Sequence, residues 1–164
     1  MISGMSPFTL FHVVLSLAGI FSGLIVLYGL LTVQRQDGWT SIFLVTTVLT
    51  SVTGFFFPFH RLLPSHILGL LSLVLLAVVI YARYGRKLAG TWSRVYAGTA
   101  VLALYLNVFV LIVQLFEKVP TLHALAPTQT ERPFKLTQLV ILMVFVVFTV
   151  AAAKRYRYDQ LRRA

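Results

Sequence analysis

The sequence predicts an all-α fold: a bundle of five transmembrane helices with the N-terminus outside and the C-terminus in the cytoplasm. Hydrophobic residues make up 59% of the 164 residues and charged residues only 11%, whereas soluble chains carry about 25% charged residues. Several apolar stretches exceed the ~18 residues that mark a transmembrane helix. The basic residues also collect on one side of the predicted bundle.

Five apolar stretches qualify as spans, at about residues 8–33, 39–57, 63–82, 92–116 and 134–153. At about 20 residues per crossing, they occupy most of the chain. We therefore expect one integral membrane domain over residues 1–164 and no separate globular domain.

The distribution of lysine and arginine predicts the orientation. Alternating the loops between two sides places ten of the fourteen basic residues together, and the remaining four are Arg61, Lys118, Arg132 and Lys135. The positive-inside rule assigns the ten to the cytoplasm. Since the basic tail 154–163 then faces an anionic leaflet, the net charge of +10 favours a lipid bilayer partner and no nucleic acid.

The first span carries one small or polar stripe. His12, Ser16, Gly19 and Gly23 are four, three and four residues apart, which puts them on one helix face. Gly19 and Gly23 allow another helix to approach closely, either within the bundle or from another subunit of a membrane complex. His12 lies about one turn inside the span, where an ionisable group is costly and faces the bundle interior.

Hydroxyl and small side chains dominate the next two spans. Seven hydroxyls occur in the second span: Thr40, Ser41, Thr46, Thr47, Thr50, Ser51 and Thr53. Such hydroxyls commonly bond to carbonyls of their own helix, and a polar pathway is the alternative. The third span begins near Pro64 and places Ser65, Gly69 and Ser72 on one face, a pattern typical of close helix packing.

The fourth span has a polar or small stripe at heptad-like spacing, which consists of Tyr96, Ala100, Ala103, Asn107, Gln114 and Glu117. Asn107 falls near mid-membrane, where an amide needs a partner, so this stripe should face the interior. Gln114 and Glu117 fall at the outer end. The outer loop that follows begins with an apolar-rich segment around His123, which predicts that it folds back onto the bundle.

The predicted topology places all four histidines, His12, His60, His66 and His123, at the outer end. We expect His12, His60 and His123 to converge on one site beneath the outer loop. Gln114 and Glu117 would complete that site, and His66, Asn107 and Gln138 would be secondary members. The alternative is that the histidines are separate anchors at the membrane interface.

Neutral imidazoles at such a site suit a divalent metal, with Glu117 as a ligand or proton acceptor. The same imidazoles could instead donate a hydrogen bond to the carbonyl oxygen of a quinone. Haem requires two facing histidines at equal depth, and only His12 is clearly inside a span.

The absence of cysteine excludes disulfides, thiolate metal sites and iron–sulfur clusters. The sequence also contains no Walker loop, dinucleotide fingerprint, HExxH motif or nucleophile elbow. It therefore favours a small redox-accessory binding protein over an enzyme. The alternative is a structural or assembly subunit with no ligand, and a transporter is disfavoured because no charge lies at mid-membrane.

Four segments resemble a family of small uncharacterised membrane proteins from proteobacteria, and together they cover under half of the chain: 8–31, 50–60, 102–114 and 122–129. They include the runs Thr-Ser-Val-Thr-Gly-Phe-Phe-Phe-Pro-Phe-His and Leu-Tyr-Leu-Asn-Val-Phe-Val. The resemblance implies a multi-pass protein of the bacterial inner membrane and implies no activity. The five-span, basic-tailed architecture is also similar to that of the porphyrin-binding translocator proteins, but their tryptophan-rich motifs are missing here.

Overall fold

The computed structural model describes residues 6–57 and 64–163. This part of the chain is helical and contains no strand. Its α-helices are α1 (Pro7–Thr32), α2 (Asp37–Gly54), α3 (Pro64–Ile80), α4 (Trp92–Lys118), α5 (Pro120–Leu125) and α6 (Arg132–Arg163). The five long helices coincide with the five predicted stretches, and the largest difference is that α6 continues to Arg163.

Four of the described helices are long and apolar enough to cross a membrane: Pro7–Thr32, His66–Gly85, Trp92–Lys118 and Arg132–Tyr156. α2 is not among them, since Asp37 and the seven hydroxyls lower its hydropathy. Its 18 residues nevertheless extend for about 27 Å, close to the ~30 Å hydrocarbon thickness of a bilayer. The fold is thus an all-α bundle with at least four helices of membrane-spanning character.

Local signals at both ends of α1 bring α2 back alongside it. The Ser6 hydroxyl oxygen accepts a hydrogen bond from the Thr9 amide at 3.1 Å, and Pro7 occupies the first helical turn, a position that tolerates proline. At the other end, Val33 adopts a left-handed conformation with φ of 60° and donates its amide to the Gly29 carbonyl. This cap ends the helix, and the short connection to Asp37 makes α1 and α2 an extensively packed antiparallel pair.

α4 is the central helix, because it packs against α1, α3 and α6. Its predicted stripe faces the interior over the inner half of the helix: Tyr96, Ala100, Ala103 and Asn107 are all buried. The alanine side chains are small, so neighbouring helices pack close to this part of α4. The predicted inward orientation is confirmed for these four residues, whereas Gln114 is partly buried and Glu117 is exposed.

Gly19 and Gly23 bring α1 close to its neighbours within the chain. A methyl group built at Gly23 would lie 2.6 Å from Leu104 Cδ1 and 2.9 Å from the Phe43 ring. One built at Gly19 would lie 3.2 Å from the Thr47 hydroxyl oxygen. The close packing predicted for these glycines is confirmed, and α2 and α4 occupy their surface.

Polar interactions close the inner end of the bundle. A π-helical turn, Tyr81–Gly85, follows α3, and the largely buried Arg83 side chain there forms an ion pair with Asp37. Arg83 also donates to the Tyr96 hydroxyl oxygen at 3.2 Å. Arg155 of α6 donates to the Leu31 carbonyl oxygen at 2.9 Å, which ties α6 to the end of α1.

The outer loop folds back onto the bundle, as predicted, on the side formed by α4 and α6. Leu122 and the buried Ala126 belong to a cluster with Ile112 and Phe116 of α4. The Gln129 side chain also donates to the Val113 carbonyl oxygen at 3.2 Å. Helical periodicity places Ile112 and Phe116 on the face of α4 opposite Gln114.

We predict that Gly23→Ala lowers the free energy of unfolding by about 1–3 kcal/mol, since the added methyl group overpacks a buried junction. Gly38→Ala is the matched control, because nothing lies within 4 Å of a methyl group at that position. The control should change stability by less than about 1 kcal/mol. Thermal unfolding in detergent measures both, and equal midpoints for the two variants would contradict the close α1–α4 packing.

Candidate functional site

A cavity of about 530 Å³ lies between the outer halves of α1, α2, α3 and α4. Most of its wall is apolar, and the aliphatic side chains are Val13, Leu17, Leu68, Leu106, Val110, Leu111, Leu115 and Val119. Cavities of about 300–1,000 Å³ with apolar walls and a few convergent polar groups are typical of small-molecule sites. This cavity is therefore the candidate functional site.

The cavity forms where α4 stops packing against α1 and α2. Asn107 of α4 donates its side-chain amide to the Thr47 hydroxyl oxygen at 3.2 Å, next to Gly19 of α1. Further out, Val110, Gln114 and other residues on this side of α4 line open space. The Asn107–Thr47 bond thus marks the inner limit of the cavity and supplies the partner predicted for Asn107.

His12 presents one defined nitrogen for a ligand. Its Nδ1 atom lies 2.8 Å from the Thr53 hydroxyl oxygen, and that hydroxyl lies 2.7 Å from the Leu49 carbonyl oxygen. Threonine hydroxyls in helices commonly donate to the carbonyl one turn back; with the Thr53 proton on the Leu49 carbonyl, His12 Nδ1 is the donor to Thr53. The neutral ring then has an unprotonated Nε2, a hydrogen-bond acceptor without a partner among the described residues.

Aromatic and glycine contacts hold the His12 ring in this orientation. The Phe57 ring meets it edge-on, with centroids 5.1 Å apart and planes at 84°. A methyl group built at Gly54 would lie 3.7 Å from His12 Cε1, which is ordinary van der Waals contact. The ring is half-buried and contributes to the cavity wall.

Three serines along the cavity, Ser16, Ser51 and Ser72, keep their hydroxyls available. Other hydroxyls in the bundle bond to their own helix: Thr46 donates to the Ile42 carbonyl at 2.7 Å, and Thr99 donates to Val95 at 2.6 Å. Ser72 is only 5% exposed, and its hydroxyl has no partner among the described residues. A buried unsatisfied hydroxyl costs about 1–3 kcal/mol, so this position favours a bound partner.

The serines lie further in than His12. Ser16 is one helical turn along α1 from His12, about 6 Å along the axis. A methyl group built at Gly69 would lie 3.8 Å from the Ser51 carbonyl oxygen, so α2 and α3 are level there. Ser72, one turn further along α3, reaches the level of Thr47. The cavity therefore has an outer polar level at His12 and an inner polar level at the serines.

The remaining predicted residues divide between the cavity and other places. Gln114, Glu117 and His66 line the cavity; His66 is buried, and its ring centroid lies 5.8 Å from that of Phe55. His123 is exposed on α5 and is not part of the cavity wall. His60 lies outside the described residues, so a three-histidine site stays a prediction.

Gln138, predicted as a secondary member, is buried between α6 and α4. Its side-chain nitrogen donates to the Phe109 carbonyl oxygen at 3.2 Å, and it does not line the cavity. Within residues 6–57 and 64–163, no group of three or more histidine, aspartate or glutamate side chains is placed to hold a metal ion. The described cavity thus presents hydrogen-bonding groups and not a set of metal ligands.

No protein-family model, curated protein or solved structure matches the chain.

Sequence reasoning did not identify Ser72, which lines the cavity, or Thr53, which positions His12. Thr53 is one of seven similar hydroxyls in α2, and it lies 41 residues from its partner His12. The sequence assigns Ser72 to packing because it shares a helix face with Ser65 and Gly69. Only the rotation and tilt of the helices distinguish these side chains from their neighbours.

Proposed function

We propose that this chain is a small integral membrane protein that binds a prenylated quinone or quinol in the outer cavity, as an accessory to membrane redox chemistry. The observation that carries the proposal is a large, apolar cavity with polar groups at two separate levels. Volume and apolar walls suit the ring and first tail units of such a molecule. A metal is not proposed as the ligand, because the described cavity provides no set of three metal ligands.

The two polar levels favour a ring with oxygen atoms at opposite ends. His12 and Ser16 are separated by about 6 Å along α1, so their polar groups lie at two different depths of the cavity. An acyl lipid has its polar atoms at one end only, so it would leave one of the two levels unsatisfied. His12 at the outer level and the serines at the inner level can bond to the same ligand only if its ring carries polar atoms at both ends.

Access from the bilayer supports a lipid-soluble ligand. Leu17 of α1 and Leu115 of α4 both line the cavity, yet they are 50% and 40% exposed. Both therefore present apolar surface to the cavity and to the outside of the bundle, where the bilayer would lie. A prenyl tail can extend along this surface while the ring stays inside.

We propose that the chain crosses the inner membrane of a bacterium five times. The N-terminus would lie outside and the C-terminus in the cytoplasm. α2 supplies the fifth crossing: it packs along α1, and Thr40, Ser41, Thr46, Thr50 and Thr53 all donate to carbonyls of the preceding turn. Hydroxyls bonded in this way are compatible with a bilayer. The ten-to-four basic asymmetry supports the orientation, and the resemblance noted above supports the bacterial membrane.

Reporter fusions after Arg86 and after Ala164 test this topology. We expect both fusion points to give a cytoplasmic signal, since each follows a basic cluster on the same predicted side. A fusion after Gln129 should give the opposite signal. If the fusions after Arg86 and Gln129 report the same side, α4 does not cross and the five-span proposal is wrong.

Ligand binding is tested by a thermal shift of the purified protein with a short-tail quinone or its quinol. Bound ligand stabilises the folded state by about 2.7 kcal/mol at a hundredfold excess over Kd, so the unfolding midpoint should rise. Ser16→Phe should weaken binding at least about tenfold, or about 1.4 kcal/mol, because its ring fills the cavity.

Ser41→Phe is the control, since Ser41 is exposed at the other end of the bundle and should leave the shift unchanged. A wild-type protein with no shift for either ligand would contradict quinone binding. The alternative would then be a structural or assembly subunit, for which the polar stripes serve packing alone.

A further inference from the structure

We infer that the cavity prefers the reduced form, the hydroquinone, because His12 Nε2 is fixed as a hydrogen-bond acceptor by Thr53. This inference rests on the proposed quinone or quinol binding and adds the redox form that is bound. Thr53 has the role of a positioning residue, since it acts only through His12.

The acceptor character of His12 follows from a chain of three groups. The Leu49 carbonyl oxygen accepts the Thr53 proton at 2.7 Å, and Thr53 therefore offers only a lone pair to His12 Nδ1, 2.8 Å away. The imidazole places its proton on Nδ1 to form this bond. In a neutral ring, Nε2 is then left with a lone pair and no proton.

A hydroquinone and a quinone interact differently with that lone pair. The hydroquinone hydroxyl donates a hydrogen bond to Nε2, whereas the quinone carbonyl carries only lone pairs and cannot donate. The sequence alone had suggested the opposite role, donation from imidazole to a quinone carbonyl. The geometry of Thr53 reverses that expectation.

The other polar groups of the cavity do not reverse the preference. Serine hydroxyls donate or accept equally well, so Ser16, Ser51 and Ser72 bind either redox form. Glu117 at the mouth is acceptor-only when ionised and also favours a donor. Lys118 is a donor that also lines the cavity and interacts electrostatically with His12. It is the same in the wild type and in the Thr53 variants, so a change in the ratio between them reports the contribution of His12.

The test compares Kd for a short-tail hydroquinone and the matching quinone in detergent, under anaerobic conditions with the quinol kept reduced. Wild-type protein should bind the hydroquinone about 3- to 10-fold more tightly, the usual effect of one neutral hydrogen bond. Thr53→Val keeps the side-chain shape and removes the oxygen atom, so the ratio should fall to about 1. Thr53→Ser retains the hydroxyl and should restore the preference.

The outcomes separate the two proposals. If neither redox form binds to the wild type, quinone binding itself is wrong. If both bind equally, or if Thr53→Val leaves the ratio unchanged, binding stands and the role of Thr53 and His12 is wrong. Nitrogen-15 NMR of wild-type protein labelled at histidine gives a check that needs no variant: His12 should carry its proton on Nδ1, and a proton on Nε2 would contradict the inference.

Discussion

The hydrogen bond from Asn107 to Thr47 joins α4 to α2 at the depth of Gly19 and lies at the boundary between the packed part of the bundle and the cavity. In hydrocarbon an amide without a partner is expensive, so this bond fixes the rotation of α4 about its own axis. With that rotation set, Ala100 and Ala103 face the packed interior. Gln114 faces the space between the outer helix ends. One polar pair thereby divides the bundle into a closed inner half and an open outer half.

The two halves differ in the size and chemistry of their side chains. In the inner half, Gly23 and Ala103 let α1 and α4 approach closely, and Arg83 with Asp37 closes the end. In the outer half, hydroxyls and His12 replace some of the apolar packing, and the outer loop docks on the other side of α4. Among the described residues, the part of the loop around His123 and Ala126 therefore does not cover the cavity.

The fold could largely be predicted from sequence because helix length and periodicity are local properties. The apolar stretches gave the five long helices, and the spacing of Ala100, Ala103 and Asn107 gave the buried face of α4. The site depends on non-local geometry. Apolar residues around His123 predict a folded loop, but the place where it docks, away from His12, depends on contacts with Ile112 and Phe116. Likewise, the tautomer of His12 depends on Thr53, a residue that no sequence spacing connects to it.

Photolabelling in lipid nanodiscs with an azido derivative of a short-tail quinone tests the central claim, an outer cavity that holds a quinone or quinol. Peptide mass spectrometry then locates the adducts, and excess unlabelled quinone serves as competitor. The account predicts competed adducts within residues 9–17 and 106–119, which line the cavity on α1 and α4. Adducts confined to exposed residues of α6, such as Leu139 and Val147, and not reduced by the competitor would contradict it.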